Sequence, residues 1–326
     1  MKPTVYITRR LPSEVIEAIN QHCKVLMWNE EDVPVPREEL VEKIKVVDGL
    51  FCLLTETIDE DILKHARKLK VISNMAVGYN NIDIEAATKR GIAVTNTPEV
   101  LTETTADLTF ALLMTTARRL NEAEQFLRRG KWKTWSPMLL TGQDIHDSTI
   151  GIIGLGRIGE AVARRAIGFN MNVLYYNRSR KMDLEQDLSI EYRELNDLLT
   201  NSDFVCVLTP LTPETKNLIS YDEIALMKKD AILINTSRGG IVNENALITA
   251  LENKQIWGAG LDVFEEEPVS INHRLLQLPN VVVIPHIGSA SIKTRIKMAQ
   301  LAAGNLIEVL REKTNNYIVN PNYKNY

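Results

Sequence analysis

Two apolar rhythms alternate along this chain. Short runs rich in β-branched residues occur at Val5 to Thr8, Lys24 to Trp28, Gly49 to Leu54, Val71 to Ser73 and Ile92 to Thr95. The stretches between them mostly space their apolar residues at helical intervals. Such alternation predicts a small parallel α/β layer. A second series follows at Thr149 to Ile153, Asn172 to Tyr176, Phe204 to Leu208, Ala231 to Ile234, Gly258 to Val263 and Val281 to Ile284, and its β-α-β order predicts a doubly wound parallel sheet. Between the two series a helix is expected from about Thr102 to Arg129. Its residues Leu108, Phe110, Ala111, Leu112, Leu113 and Met114 are too crowded for one apolar stripe, so it should be covered on several sides, by the core or by a second copy of the chain.

Composition narrows the class. At roughly 150 residues per domain, 326 residues suggest two domains. With 44% hydrophobic and 25% charged residues, disorder, collagen-like repeats and coiled coil are excluded as the main architecture. Lys plus Arg is 38 against 42 Asp plus Glu, a net charge of −4, which disfavours a nucleic-acid partner because counterion release needs a basic face. Cys23, Cys52 and Cys206 lie in apolar surroundings at no paired spacing and read as buried thiols of a reducing compartment. The longest uncharged run, Leu275 to Ile292, contains Gln277, Pro279, Asn280, Pro285 and His286, so no membrane span is expected. Met1 to Arg10 lacks the apolar core of a secretory signal, and a cytoplasmic location is expected.

The strongest chemical signal is Gly154-Leu155-Gly156-Arg157-Ile158-Gly159, which follows the strand ending at Ile153 without a gap and opens a helical stretch from Glu160. This G-x-G-x-x-G spacing is weak alone. In its strand–turn–helix setting it reads as a dinucleotide site, with a tight turn at Gly154, close approach of a pyrophosphate at Gly156 and helix packing at Gly159. Sites selective for NAD usually carry an acidic residue about 20 positions further on, at the end of the next strand. Here that position reads Asn177-Arg178-Ser179-Arg180-Lys181. The absence of a carboxylate and the presence of two Arg and one Lys favour a 2′-phosphate, so NADPH is the preferred cofactor and NADH a possible one. A solvated basic turn is the bland alternative.

Three more features fall just after later strands: Asn235-Thr236-Ser237-Arg238-Gly239-Gly240, Asp262 to Pro268, and Pro285-His286-Ile287-Gly288-Ser289. Strand ends of a parallel sheet gather at its carboxyl edge, where ligands bind. Arg238, Glu267 and His286 thereby become candidates for catalysis. Taken singly, Arg238 reads as a loop ion pair, Glu267 as part of a solvated acidic run and His286 as a strand-end donor. Together beside a nicotinamide they suit reduction of a 2-keto acid, which needs a carboxylate clamp and a proton donor tuned by a carboxylate. The other histidines lack partners at metal spacing, and no HExxH, P-loop lysine or G-x-S-x-G occurs.

With Val77-Gly78-Tyr79-Asn80 added, these ordered motifs span nearly the whole chain, and it resembles the D-isomer-specific 2-hydroxyacid dehydrogenases, in particular the glyoxylate/hydroxypyruvate reductase and 2-ketogluconate reductase branch. The resemblance implies Arg238, Glu267 and His286 as the catalytic set, a substrate-carboxylate loop at Ala76, Val77 and Gly78, cofactor contacts at Thr236, Ser237, Asp262 and Gly288, and Asp262 among them as holder of the nicotinamide carboxamide. It implies a Rossmann cofactor domain, residues 99–289, inserted in a flavodoxin-like substrate domain, residues 1–98 and 290–326. It also implies a homodimer joined through the cofactor domains, with Trp135 the nearest candidate for a tryptophan reaching the facing subunit's substrate pocket. The expected reaction is NAD(P)H-dependent reduction of glyoxylate, hydroxypyruvate or 2-ketogluconate to the D-2-hydroxy acid. Three alternatives stand beside it. A phosphoglycerate dehydrogenase would typically carry a regulatory tail beyond the position of Tyr326, and a formate dehydrogenase would replace the Glu267–His286 partnership. A dinucleotide-sensing corepressor would share the fold without turnover.

Overall fold

A computed structural model describes residues 2–325, and the chain divides into two compact units, Met1–Leu101 with Ala290–Tyr326, and Thr102–Ser289. The first crossing lies after Leu101 rather than after Pro98, because Glu99 to Leu101 form a turn that leads into the helix starting at Thr102.

The first unit holds strands β1 (Thr4–Ile7), β2 (Lys24–Met27), β3 (Gly49–Cys52), β4 (Val71–Asn74) and β5 (Ala93–Thr95). They form one parallel sheet in the order β2-β1-β3-β4-β5, the flavodoxin-like arrangement. Tyr6, Leu50, Cys52, Ile72 and Val94 point to one face and pack with Leu40, Ile44, Ile62, Leu63 and Ala87 of the crossover helices. Helix Ile292–Leu310 brings the end of the chain back to this unit and packs on β3 and β4, where the Ser73 hydroxyl donates to the Ala302 carbonyl at 2.8 Å.

The second unit holds β6 (Thr149–Ile153), β7 (Asn172–Tyr176), β8 (Glu191–Tyr192), β9 (Phe204–Val207), β10 (Ile232–Asn235), β11 (Gly258–Leu261) and β12 (Val281–Val283). All pair in parallel, in the order β12-β11-β10-β9-β6-β7-β8. The order reverses between β6 and β9, which creates the crevice where a doubly wound sheet binds its ligand. Both faces are covered: Phe204, Cys206, Ile232 and Ile234 belong to one apolar layer, and Val205, Val207 and Leu233 to the other. Burial on both faces explains why these strands read as continuous apolar runs. Strand β8 had no signal in the sequence because two residues cannot display a period.

The long helix expected over Thr102 to Arg129 is two helices, Thr102–Ala117 and Leu120–Arg128, broken where Arg119 takes a left-handed φ of 52°. The break has a partner: the Ala117 carbonyl accepts the Gln143 N–H at 2.9 Å, so the loop at Gly142 and Gln143 takes the place of the next helical turn. The first helix packs on helix Arg157–Ile167 and on β10, β11 and β12, which buries Phe110, Leu112 and Leu113 as core, while Leu108 and Met114 are half-buried and Ala111 is exposed. Among the described residues no helix is long and apolar enough to cross a membrane.

Candidate active site

In the second unit the glycine loop turns tightly after β6. Gly154 has φ +102°, and a Cβ on Gly159 would stand 2.3 Å from the Gly154 carbonyl oxygen, so helix Arg157–Ile167 can start against the turn only if both positions are glycine. At Gly156 a Cβ would meet nothing within 4 Å. Open space therefore lies before a helix start whose first-turn N–H groups have no partners within the helix, a donor set that fits a pyrophosphate.

At the end of β7 the basic residues separate into two kinds. Arg180 is committed to Glu185 through two bonds of 3.0 and 2.6 Å, and its guanidinium lies 5.4 Å from the Tyr192 ring centre. The Tyr175 hydroxyl also donates to Glu185, and together these partners hold that carboxyl down at about 2. Arg178 and Ser179 are exposed, and Asn177 turns its amide to the Ser179 carbonyl at 3.1 Å. Of the two arginines counted in the sequence, Arg178 is thus the one facing solvent without an acidic clamp.

The three later strand ends meet at the carboxyl edge. After β10, the Asn235 side chain closes a turn by donating to the Arg238 carbonyl at 3.0 Å and accepting the Ser237 N–H at 3.1 Å. Ser237 donates its hydroxyl to the Thr209 carbonyl, while Thr236 is buried with its hydroxyl bonded to Thr109 at 2.6 Å. Burial pulls the Arg238 guanidinium down from its ordinary value, against the opposing charges of Glu267 and Asp262, and so far above neutrality it stays a cation.

After β11, Asp262 is fully buried and serves the loop after β12: its carboxylate accepts the N–H groups of Ile287 at 2.6 Å and Gly288 at 2.8 Å, and its carbonyl accepts that of His286 at 2.9 Å. This clamp holds His286 at φ 50°, a left-handed conformation that is uncommon for a non-glycine residue. Burial pushes Asp262 up to about 6, partly opposed by those two N–H groups and by the His286 charge. Glu267 accepts the Phe264 N–H at 3.0 Å through Oε1 and meets His286 Nδ1 at 2.7 Å through Oε2. Burial raises this carboxyl, but the His286 bond and charge, the Phe264 N–H and the Arg238 charge outweigh it, and the net direction is down. Glu267 is therefore ionised at neutral pH beside an imidazole whose Nδ1 it occupies, which leaves Nε2 as the ring nitrogen open to another partner. Arg238, Glu267 and His286 form one electrostatic cluster. Asn235, which shapes the turn carrying Arg238, was not singled out in the sequence; its place at the end of a strand before a turn was the available signal.

In the first unit, the loop after β4 has two kinds of N–H. That of Ala76 donates to the Asn74 carbonyl at 2.8 Å, whereas those of Val77 and Gly78 have no partner among the described residues.

Comparison with known proteins agrees with this architecture. Residues 110–288 match the family model described as D-isomer specific 2-hydroxyacid dehydrogenase, NAD binding domain. A glyoxylate reductase of Pyrococcus horikoshii is 52% identical over 98% of this chain and 96% of its own. A protein of Thermus thermophilus with a solved structure superposes with a TM-score of 0.90 at 42% identity, covering 97% of this chain and 99% of the other. An NADPH-dependent glyoxylate/hydroxypyruvate reductase from Sinorhizobium meliloti, solved with NADP and malonate, superposes with a TM-score of 0.85 at 32% identity, covering 99% and 98%. With half its length matching the family model and nearly all of it aligning to such relatives, this chain belongs to the D-isomer-specific 2-hydroxyacid dehydrogenase family.

Proposed function

We propose that this enzyme reduces a small 2-keto acid of the glyoxylate, hydroxypyruvate or 2-ketogluconate type to the D-2-hydroxy acid, with NADPH preferred over NADH. The observation that carries the reading is the 2.7 Å pair of Glu267 and His286 in one charge cluster with Arg238. A dinucleotide bound here would supply the reducing equivalent, with Gly154, Leu155, Gly156, Arg157, Ile158 and Gly159 holding its pyrophosphate and Asn177, Arg178 and Ser179 its adenosine ribose. His286 delivers a proton from Nε2 to the carbonyl oxygen, and Glu267 stabilises the imidazolium that does so. Arg238 orients the keto acid through its planar guanidinium. The N–H groups of Val77 and Gly78 receive the substrate carboxylate, with Ala76 shaping their loop. Asp262, through Ile287 and Gly288, fixes the loop that carries His286, and the backbone at Thr236 and Ser237 lines the cofactor edge.

Substrate domain and cofactor domain are the roles that fit the first and second units. The names of the Pyrococcus and Sinorhizobium relatives support the substrate class, and the NADP in the second supports the cofactor. A homodimer fits the exposed apolar side chains Leu127, Trp132, Trp135 and Met138, the last two being 76% and 77% exposed, and Trp135 is the residue that a facing subunit would receive. Turnover of glyoxylate, hydroxypyruvate and 2-ketogluconate, each with NADPH and NADH and ranked by kcat/KM, tests the reading. No turnover with any pair at micromolar enzyme would leave the corepressor-like binding role in its place.

A further inference from the structure

A trans peptide is planar, with its C=O and the following N–H pointing in opposite directions. Fixing a carbonyl therefore aims the N–H of the next residue. The two free N–H groups of the loop after β4 belong to the peptides Ala76–Val77 and Val77–Gly78, and both are fixed through their carbonyls. The Ala76 carbonyl accepts the Thr97 N–H at 2.9 Å, and the Val77 carbonyl accepts Nδ2 of Asn96 at 2.8 Å. The next carbonyl, of Gly78, accepts Nδ2 of Asn74 at 3.0 Å. Of the two bonds that aim the free N–H groups, one comes from main chain and one from a side chain, so Asn96 is the residue through which this geometry can be altered.

Asn96 is itself held firmly. It is 8% exposed, its carbonyl accepts Nδ2 of Asn305 at 3.0 Å, and its N–H donates to the Tyr317 carbonyl at 3.3 Å. Asn305 is buried in helix Ile292–Leu310, and its Oδ1 accepts Nδ2 of Asn315 at 2.9 Å. A relay of amides thus runs from the end of the chain to the Val77 carbonyl. A buried amide retained for shape alone would cost free energy without such a connected set of partners.

We propose that Asn96 is a positioning residue for substrate recognition: by holding the Val77 carbonyl it directs the Gly78 N–H at the carboxylate of the 2-keto acid. This rests on the reading that the Val77 and Gly78 N–H groups receive that carboxylate. The discriminating comparison is between glyoxylate and glyoxal, which carries a neutral aldehyde in place of the carboxylate. Asn96→Ala removes the donor, and Asn96→Asp keeps the shape but turns a carboxylate oxygen toward the Val77 carbonyl. Each variant is expected to lower kcat/KM for glyoxylate by about 10- to 100-fold, the effect of one misdirected hydrogen bond to a charged group, chiefly through KM. The kcat/KM for glyoxal, the affinity for the dinucleotide measured by fluorescence titration, and cooperative thermal unfolding should be retained. If either folded variant loses activity on both substrates equally, or on neither, the positioning role is overturned. Should Asn96→Ala fail to fold, the isosteric Asn96→Asp decides alone. If wild type turns over glyoxal as well as glyoxylate, the carboxylate reading itself fails and takes the role of Asn96 with it, an outcome visible before any variant is made.

Discussion

The proposed preference for NADPH would depend on a single exposed guanidinium, that of Arg178, and this makes it quantitatively testable. Arg180 is bonded twice to Glu185, so under the proposed reading the 2′-phosphate contact would fall to Arg178, assisted by Ser179 and Asn177. A charge-assisted bond contributes about 1.5–3 kcal/mol, and solvent around an exposed arginine places this one near the lower end, so Arg178→Ala should reduce the NADPH:NADH ratio of kcat/KM by about tenfold. Adding Asn177→Asp would set a carboxylate beside the proposed 2′-phosphate site, and at a separation on the order of 5 Å its repulsion of a phosphate of nearly two charges would be about 1.5 kcal/mol in a water-like dielectric, or a further factor of about ten. The double variant should therefore move a wild-type preference of about tenfold for NADPH to a similar preference for NADH. Raising the salt from about 0.05 to 0.5 M should compress the wild-type ratio, since screening acts within a few ångströms at the higher concentration. Arg180→Ala is the control: it should lower the thermal midpoint by releasing Glu185 and Tyr175, and change the cofactor ratio by less than about twofold. Equal use of NADH and NADPH by wild type at low salt, or a shift in preference from Arg180→Ala but not Arg178→Ala, would refute the assignment.

The other predictions concern the carboxyl-edge cluster and the glycine loop. His286→Ala should lower kcat by about 10²–10⁴-fold with dinucleotide affinity nearly unchanged, and a variant keeping more than half the wild-type rate would remove His286 from proton delivery. Glu267→Gln should lower kcat with dinucleotide affinity nearly unchanged, because the His286 imidazolium loses its charge partner at Nδ1, and an unchanged kcat would contradict that role. The same substitution tests stability: the folded Glu267 carboxyl lies below its usual value, so its contribution is present above about pH 4.5 and fades as pH falls through the lowered value. The difference in urea midpoint between wild type and Glu267→Gln should shrink with acidification, and a constant difference would contradict the pairing. Gly159→Ala would bring a Cβ to 2.3 Å from the Gly154 carbonyl oxygen, so it should cost about 1–3 kcal/mol of stability and weaken dinucleotide binding by displacing the loop. Wild-type melting and titration would show that the helix can start elsewhere.

Much of this molecule was legible before any coordinates, because the signals are local. Apolar runs marked the longer strands, Gly154, Gly156 and Gly159 stood in the strand–turn–helix setting that a dinucleotide site needs, and Arg238, Glu267 and His286 each followed a strand whose end had to lie at one edge of a parallel sheet. Periodicity and turn chemistry act over a few residues, so the sequence displays them directly. Tertiary structure decided what depends on partners far apart in the chain. Glu265, Glu266 and Glu267 are alike in sequence, yet Glu265 accepts the Glu244 N–H while Glu267 meets His286. Arg178 and Arg180 are alike, yet Glu185 and the Tyr192 ring claim only the second. The helix expected to run unbroken past Arg119 ends because Gln143 bonds Ala117, and the aim of the Gly78 N–H depends on Asn96, which Asn305 and Tyr317 secure from the other end of the chain. Each of these choices is a buried or paired polar group whose partner only packing can bring within hydrogen-bond reach.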